Sequence, residues 1–352
     1  MSYKETLFFI AKCLTISHET ANYVIVKNAV EKETVDWDSV VKVSTEHYVF
    51  PALYCNLKRK ELLSHLPKDL VEYMQHIATL NKDRNLQIKE QALEINKLLK
   101  TRGILPVFLK GTGFLLQGFY ENIAERMIGD IDFIVSEKDY ENAITVLKKN
   151  GYGNKAHKLD NVKLGKHYPR LIHKEKIAAV EVHFRILKEP YDEVFNYEFV
   201  KNHTVELPEN IRILNYDHQV LHTVFNKQAN DLGYWYKTIS LRNCYDLFLL
   251  SKKTNTLSAI KSVSKHFDIL NAFLASCHFV FNHSTSITFD KNRKTNTYIH
   301  RQLELLDTPK KMKKNRQLWD IYFNSKTRFK KLKLAFTNKD VRTHLFNLMF
   351  KR

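Results

Sequence analysis

The sequence predicts an α+β chain, a small α/β core built on a mixed sheet and flanked by an N-terminal and a C-terminal helical region. Eight of the nine glycines (103, 111, 113, 118, 129, 151, 153 and 165) lie close together, with only Gly233 outside that span, so the middle of the chain is where it bends sharply. The same middle alternates short apolar runs with helix-length segments, whereas the flanks keep their apolar residues near helical spacing. With 352 residues, 44% of them hydrophobic and 12% aromatic, the chain has room for a sizeable core and two or three domains or subdomains. The expected division is 1–100, 101–200 and 201–352.

The elements follow in order. Residues 1–100 read as helices, the last of them DLVEYMQHIATLNKDRNLQIKEQALEINKLLKTRG, which stops at Gly103. ILPVFL (104–109) is a short apolar strand, and a helix starts at KGTGFLLQGFY. DIDFIV (130–135) is a second strand. In SEKDYENAITVLKKNG, Ser136 and Asp139 have capping-box spacing and Gly151 sits at the C-cap. YPRLIHK (168–174) and IAAVEVHFRI (177–186) read as a hairpin across Glu175 and Lys176. After Pro208 the pattern turns helical and stays so to the end.

Charge and cysteine usage narrow the class. Lys and Arg number 56 against 38 Asp and Glu, a formal net charge of +18 that favours polyanions such as nucleic acid, nucleotides or an anionic surface. The excess is concentrated at the end, where residues 290–352 carry 18 basic and 5 acidic side chains. Cys13, Cys55, Cys244 and Cys277 are far apart and form no CxxC unit, which argues against a sequence-local zinc cluster or a disulfide framework. The apolar run near the start is too closely flanked by Glu5 and Lys12 for a secretory leader, and no uncharged stretch approaches a membrane span. A cytoplasmic protein with no membrane partner is expected.

The chemistry concentrates on acids in strands. Side chains i and i+2 of a strand share a face, so Asp130 and Asp132 point together while Ile131, Phe133 and Val135 face the core. Glu181 and His183 repeat that geometry in AVEVHF. Three carboxylates converging from adjacent strands form a hard-oxygen site suited to Mg²⁺ or Mn²⁺, and relief of their mutual repulsion is what a metal gives the protein. The bland alternative is that a lone DxD is a pair of solvated acids. The order of parts argues against it: Lys110 follows the first strand, Gly111, Thr112 and Gly113 open a helix whose free N–H groups suit phosphate, and DxD comes next.

These pieces together resemble the nucleotidyltransferase superfamily with its DNA polymerase β-like fold, and within it the uncharacterised bacterial nucleotidyltransferase family 5. The resemblance spans roughly residues 37–250, through WDSVVKVSTEHYVFPALYCNLKR, ILPVFLKGTGFLLQGFY, RMIGDIDFIV, KKNGY and AVEVHFRI, and more weakly through DHQVLHTVFNK and LRNCYDLFLL. It implies transfer of a nucleoside monophosphate from an NTP to an acceptor with release of pyrophosphate. On this resemblance Asp130 and Asp132 match the metal-binding pair, and Glu181 the third carboxylate, which holds metal and takes the acceptor's proton. Lys110 and Gly111 match the turn that meets the triphosphate, and Arg126 the arginine before DxD, which touches phosphate or orients Asp130. The superfamily usually has Gly-Ser in that turn; here it is Lys-Gly-Thr-Gly, which leaves Thr112 as the substitute for serine.

Other residues have weaker claims. His183 shares the face of Glu181 and is a candidate substrate or metal contact. His218 and His222 have zinc-like i, i+4 spacing, but with no third ligand nearby a structural pair is the better reading. Arg242 and Asp246 are expected to form an ordinary helical salt bridge. KKMKKNRQLWDIYF (310–323) and FKKLKLAF mix lysines with aromatics, either as a phosphate-tracking surface or as a helix with a basic outer face. The basic stretch from Lys155 to Lys176, with His157, His167 and His173, is placed to line the acceptor side of the cleft. The leading expectation is a metal-dependent, ATP- or other NTP-using enzyme acting on RNA, tRNA first, by analogy with toxins and defence proteins. The alternatives are transfer to a protein or small-molecule hydroxyl, and a non-catalytic RNA- or partner-binding module.

Overall fold

The computed structural model describes residues 1–154 and 165–350. The first hundred residues are helical, as their spacing predicts: α1 (Tyr3–Thr15), α2 (Thr20–Glu31), α3 (Trp37–Glu46), α4 (Phe50–Arg59) and α5 (Lys68–Lys100). A reciprocal cap starts α1, with the Ser2 hydroxyl accepting from the Glu5 N–H at 3.3 Å and the Ser2 N–H donating to the Glu5 carboxylate at 2.8 Å. Helix α5 runs 33 residues and stops where Gly103 takes φ +71°, which lets the Ile104 N–H turn back to the Leu99 carbonyl at 3.2 Å.

The sheet has five strands: β1 (Val107–Phe108), β2 (Asp130–Ile134), β3 (Ala179–His183), β4 (Thr204–Leu207) and β5 (Ile211–Leu214), in the order β3-β2-β1-β5-β4. β1 runs antiparallel to β2 and parallel to β5, β2 is parallel to β3, and β4 is antiparallel to β5. α6 (Lys110–Gln117) leaves β1, and α7 (Tyr140–Lys149) lies on the crossover from β2 to β3. Ile131, Phe133, Val180 and Val182 face one way, into a core shared with Ile88, Ala92, Ile95 and Leu99 of α5 and Ile144 and Leu147 of α7. The alternate positions, acids included, face the other way.

Four expectations change in detail. Only Val107 and Phe108 of ILPVFL pair, because the chain turns into α6 at once. The proposed hairpin exists as separated antiparallel pairings, Leu171 with Val180 and His167 with His183, and Pro169, which has no N–H, lies between them. The Ser136 hydroxyl donates to the Asp139 carboxylate at 2.6 Å and caps no backbone group. The chain is not purely helical after Pro208: Glu209 and Asn210 turn at φ +62° and +58°, and β5 completes a hairpin with β4.

The remainder is helical: α8 (Tyr197–Val200), α9 (Tyr216–Phe225), α10 (Gly233–Tyr236), α11 (Leu241–Ser251), α12 (Thr256–Lys261), α13 (Phe267–Val280), α14 (Arg293–Asp307), α15 (Pro309–Thr337) and α16 (Lys339–Phe350). A second core joins the two ends of the chain, with Leu7, Ile10 and Leu14 of α1 packed among Phe248, Leu274 and Phe281. All four cysteines are buried and free. No helix among the described residues is long and apolar enough to cross a membrane.

Candidate active site

The parallel register of β2 and β3 sets Asp132 directly beside Glu181, with Asp130 two residues back on the same face. A cleft of about 350 Å³ opens onto them, walled by Lys110, Arg126, Lys166, Arg170 and Arg242 together with Asn226 and Asp231. Asp132 and Glu181 are 6% and 5% exposed, and His183 is fully buried. One ligand atom from each of these three lies within 4.8 Å of the others, the geometry of a metal-binding group. Nδ1 of His183 lies 3.1 Å from the Arg185 carbonyl, which makes it a donor, and Nε2, 2.9 Å from Asp132 Oδ1, is the ring atom that faces the carboxylates. Such a set, hard oxygens with one imidazole, fits a divalent cation.

Cations hold the acids together. The Lys110 ammonium bonds the Asp132 carboxylate and lies 3.5 Å from Glu181. Arg170 forks across the strands, Nε to Glu181 Oε1 and an Nη to Asp130 Oδ2, each at 2.9 Å. Burial disfavours the charge on Asp132, but Lys110 and then His183 outweigh it and hold that carboxyl below its ordinary range. Glu181 is likewise held low against its burial, through His183 and Lys110. Asp130 goes the other way: burial raises it, Arg170 opposes, and the two neighbouring acids add to the rise. Burial and then Lys110 push Lys166 down to about 8.

The turn after β1 needs its glycines. A Cβ on Gly113 would stand 3.1 Å from the Phe108 carbonyl oxygen, and one on Gly111 would stand 3.2 Å from the Ile128 side chain. Lys110 itself takes φ +52°, which aims its side chain back over β2. Thr112 is fully buried and does not line the cleft: its hydroxyl donates to the Asp130 carbonyl and accepts from the Asp132 N–H, both at 3.2 Å. It stitches α6 to the strand between the two aspartates.

Arg126 is buried and reaches Asp246 at 2.9 Å, and Asp246 also accepts from the Tyr120 hydroxyl. The expected Arg242–Asp246 salt bridge is therefore replaced by Arg126–Asp246. Arg242 instead lies 4.9 Å over the ring of Tyr48. The Nε groups of both arginines are buried without a hydrogen-bond partner. Two adjacent guanidinium groups with spare donors suit an anion.

Sequence reasoning missed Arg170 and Lys166 as individual residues, and it missed the clamp that α5 places on the loop before β2. Asn81 donates to the Ala124 and Arg126 carbonyls, Asn85 to those of Ile123 and Arg126, and Arg84 to those of Ile128 and Gly129. Three polar side chains at spacings of three, one and four on an otherwise amphipathic helix were the available signal. His167 comes within 3.6 Å of Glu181. His157 and the first part of its basic stretch lie outside the described residues. His218 and His222 are structural: His218 stacks on His203 at 4.4 Å and bonds Asn215, and His222 is buried behind Lys110.

A family model described as an uncharacterised nucleotidyltransferase matches residues 33–281. The chain belongs to that family. No curated protein matches it. The nucleotidyltransferase match encloses every residue of the cleft and all five strands, and it ends at the close of α13, before α14–α16.

Proposed function

We propose that this nucleotidyltransferase moves a nucleoside monophosphate from an NTP to an RNA hydroxyl and releases pyrophosphate. The observation that carries the reading is the Asp132–Glu181 pair with Asp130 beside it, in a cleft whose other walls carry five Lys and Arg side chains against the single acid Asp231. Asp130, Asp132 and Glu181 would hold Mg²⁺ or Mn²⁺, with His183 Nε2 at hand for the ion nearest Asp132. When bound, the ion supplies charge neutralisation of the triphosphate and polarises the attacking oxygen.

The chain's own residues do the rest. Lys110 and the backbone N–H of Gly111 seat the outer phosphates, and the spare Nε donors of Arg126 and Arg242 extend that seat inward. Arg170, whose side chain is 58% exposed, swings from the carboxylates to the departing pyrophosphate. The acceptor oxygen forms a bond to the α-phosphorus as the bond from that phosphorus to the β-phosphate bridging oxygen breaks. Glu181 takes the acceptor's proton. RNA is favoured as acceptor by the +18 net charge, since a polyanion is what such a field attracts.

The test supplies α-³²P-labelled NTPs with Mg²⁺ and either total RNA or cell protein. Label is expected in RNA, and lost in Asp130→Asn. Label in protein would move the acceptor to a side-chain hydroxyl, and no label in either would sink the enzyme reading.

A further inference from the structure

Helix α15 carries an apolar seam that no described part of the fold covers. Leu318, Tyr322, Phe329, Leu332 and Phe336 are 63%, 53%, 72%, 53% and 84% exposed. With Ser325 they repeat at alternating steps of four and three residues, the seam of a helix that pairs with another helix. At 1.5 Å per residue the seam is about 27 Å long. The flank beside it is already used: Trp319 and Phe323 pack on Trp235, and Asn315 donates to the Trp235 and Tyr236 carbonyls. Those contacts fix α15 to the body and leave the seam facing outward.

Charge identifies the occupant. α15 has ten Lys and Arg and a single acid, Asp320, which accepts from the Tyr236 hydroxyl at 2.5 Å. At 100° per residue, Lys326 and Lys333 border the seam on one side and Arg328 on the other. A second copy of α15 would set lysine against lysine along these borders. Phosphates or stacked bases would leave Leu318, Ile321 and Leu332 in water. A bilayer calls for a broad one-sided face, whereas here the apolar residues divide between a packed side and a narrow seam. We infer that α15 docks an acidic amphipathic helix of a partner protein, with apolar residues against the seam and Glu or Asp against Lys326, Arg328 and Lys333. Such a partner neutralises the tail and covers an exposed apolar stripe in one contact.

The probe is a fluorescein-labelled synthetic helix of four heptads, Leu at a and d and Glu at e and g, titrated with the full chain at near-physiological salt. A peptide of the same composition in permuted order is the control. The ordered peptide is expected to bind at least about tenfold more tightly than the permuted one. Phe329→Glu/Leu332→Glu should erase that difference, and Lys326→Glu/Lys333→Glu should exchange the preference for a peptide with Lys at e and g. All four residues lie on the solvent side of α15, so melting temperatures should hold. Equal binding of ordered and permuted peptides, or of wild type and the seam variant, would overturn the inference. So would a seam variant that loses single-stranded RNA or phosphatidylserine vesicles while the wild type ignores the peptide.

Discussion

Asp130 and Asp132 are two residues apart in sequence and far apart in consequence, which makes Asp130→Asn and Asp132→Asn an informative pair. Asp130 is half-buried and pairs with Arg170, which is largely exposed, so losing that pair costs about 0–1 kcal/mol. Asp132 is buried beneath Lys110 and the fully buried His183. Removing its charge strands two cationic or proton-donating partners, a loss of about 3–5 kcal/mol in buried pairs. Glu181 remains 3.5 Å from Lys110, which puts the expected cost near the lower bound, about 3 kcal/mol. For a chain of 352 residues, an unfolding entropy of about 2.1 cal/mol/K per residue converts that to a fall of about 4 °C in Tm, against at most about 1 °C for Asp130→Asn. Differential scanning calorimetry reads both, with and without Mn²⁺. The ion should raise the wild-type Tm and lift neither variant. Equal falls in the two variants, or an undiminished Mn²⁺ shift in either, would refute the assigned roles.

Thr112→Val keeps the shape but removes both stitches between α6 and β2, with an expected loss of about 2 kcal/mol by urea titration, while Thr112→Ser restores it. Asn85→Ala frees the Ile123 carbonyl and leaves that of Arg126 to Asn81 alone; NTP binding by calorimetry should weaken several-fold while Mn²⁺ affinity holds. Acid should destabilise the fold through its buried histidines. His218 is held down to about 4 by burial and then His203, and His222 well below its ordinary value by burial and then Lys110. Both are neutral when folded, so the unfolded state gains protons as pH falls below 6.5. Stability is then full above about 6.5 and declines toward 4, by at most about 1.4 kcal/mol per pH unit for each group. His218→Gln should flatten the Tm profile over that window.

The acids were legible because strand alternation is a local rule: a carboxylate at every second position of an apolar run shares a face whatever the strand pairs with. The N-terminal helices were legible for the same reason, with a period of 3.6. What escaped depends on distant contacts. β4 and β5 are four residues each; Val205 and Glu206 of β4 are exposed and give no buried-face pattern, and the alternation of β5, Ile211 and Ile213 about Arg212, is too short to stand out. Arg170 reaches Asp130 and Glu181 only because Leu171 pairs with Val180. Asp246 has Arg242 one helical turn away, yet Arg126 takes it, since the loop clamped by α5 brings that guanidinium in from the opposite wall.

That exchange bears on how the site works under the proposed function. Three carboxylates face two cations, Lys110 and Arg170, leaving the cluster with one negative charge in excess before His183 is considered. A bound divalent ion would over-compensate it, which would disfavour keeping both cations on the carboxylates. Lys110 stands on a turn pinned by Gly113 against the Phe108 carbonyl, and burial encloses its stem. Arg170 stands on a segment held by isolated pairings, and its side chain is 58% exposed. Arg170 is therefore the group that yields, and it yields toward the open cleft, where the triphosphate would lie. A guanidinium displaced by the metal and recaptured by phosphate couples the two ligands, so NTP and Mn²⁺ should each tighten the other's binding, and Arg170→Ala should remove that coupling while strengthening Mn²⁺ binding alone.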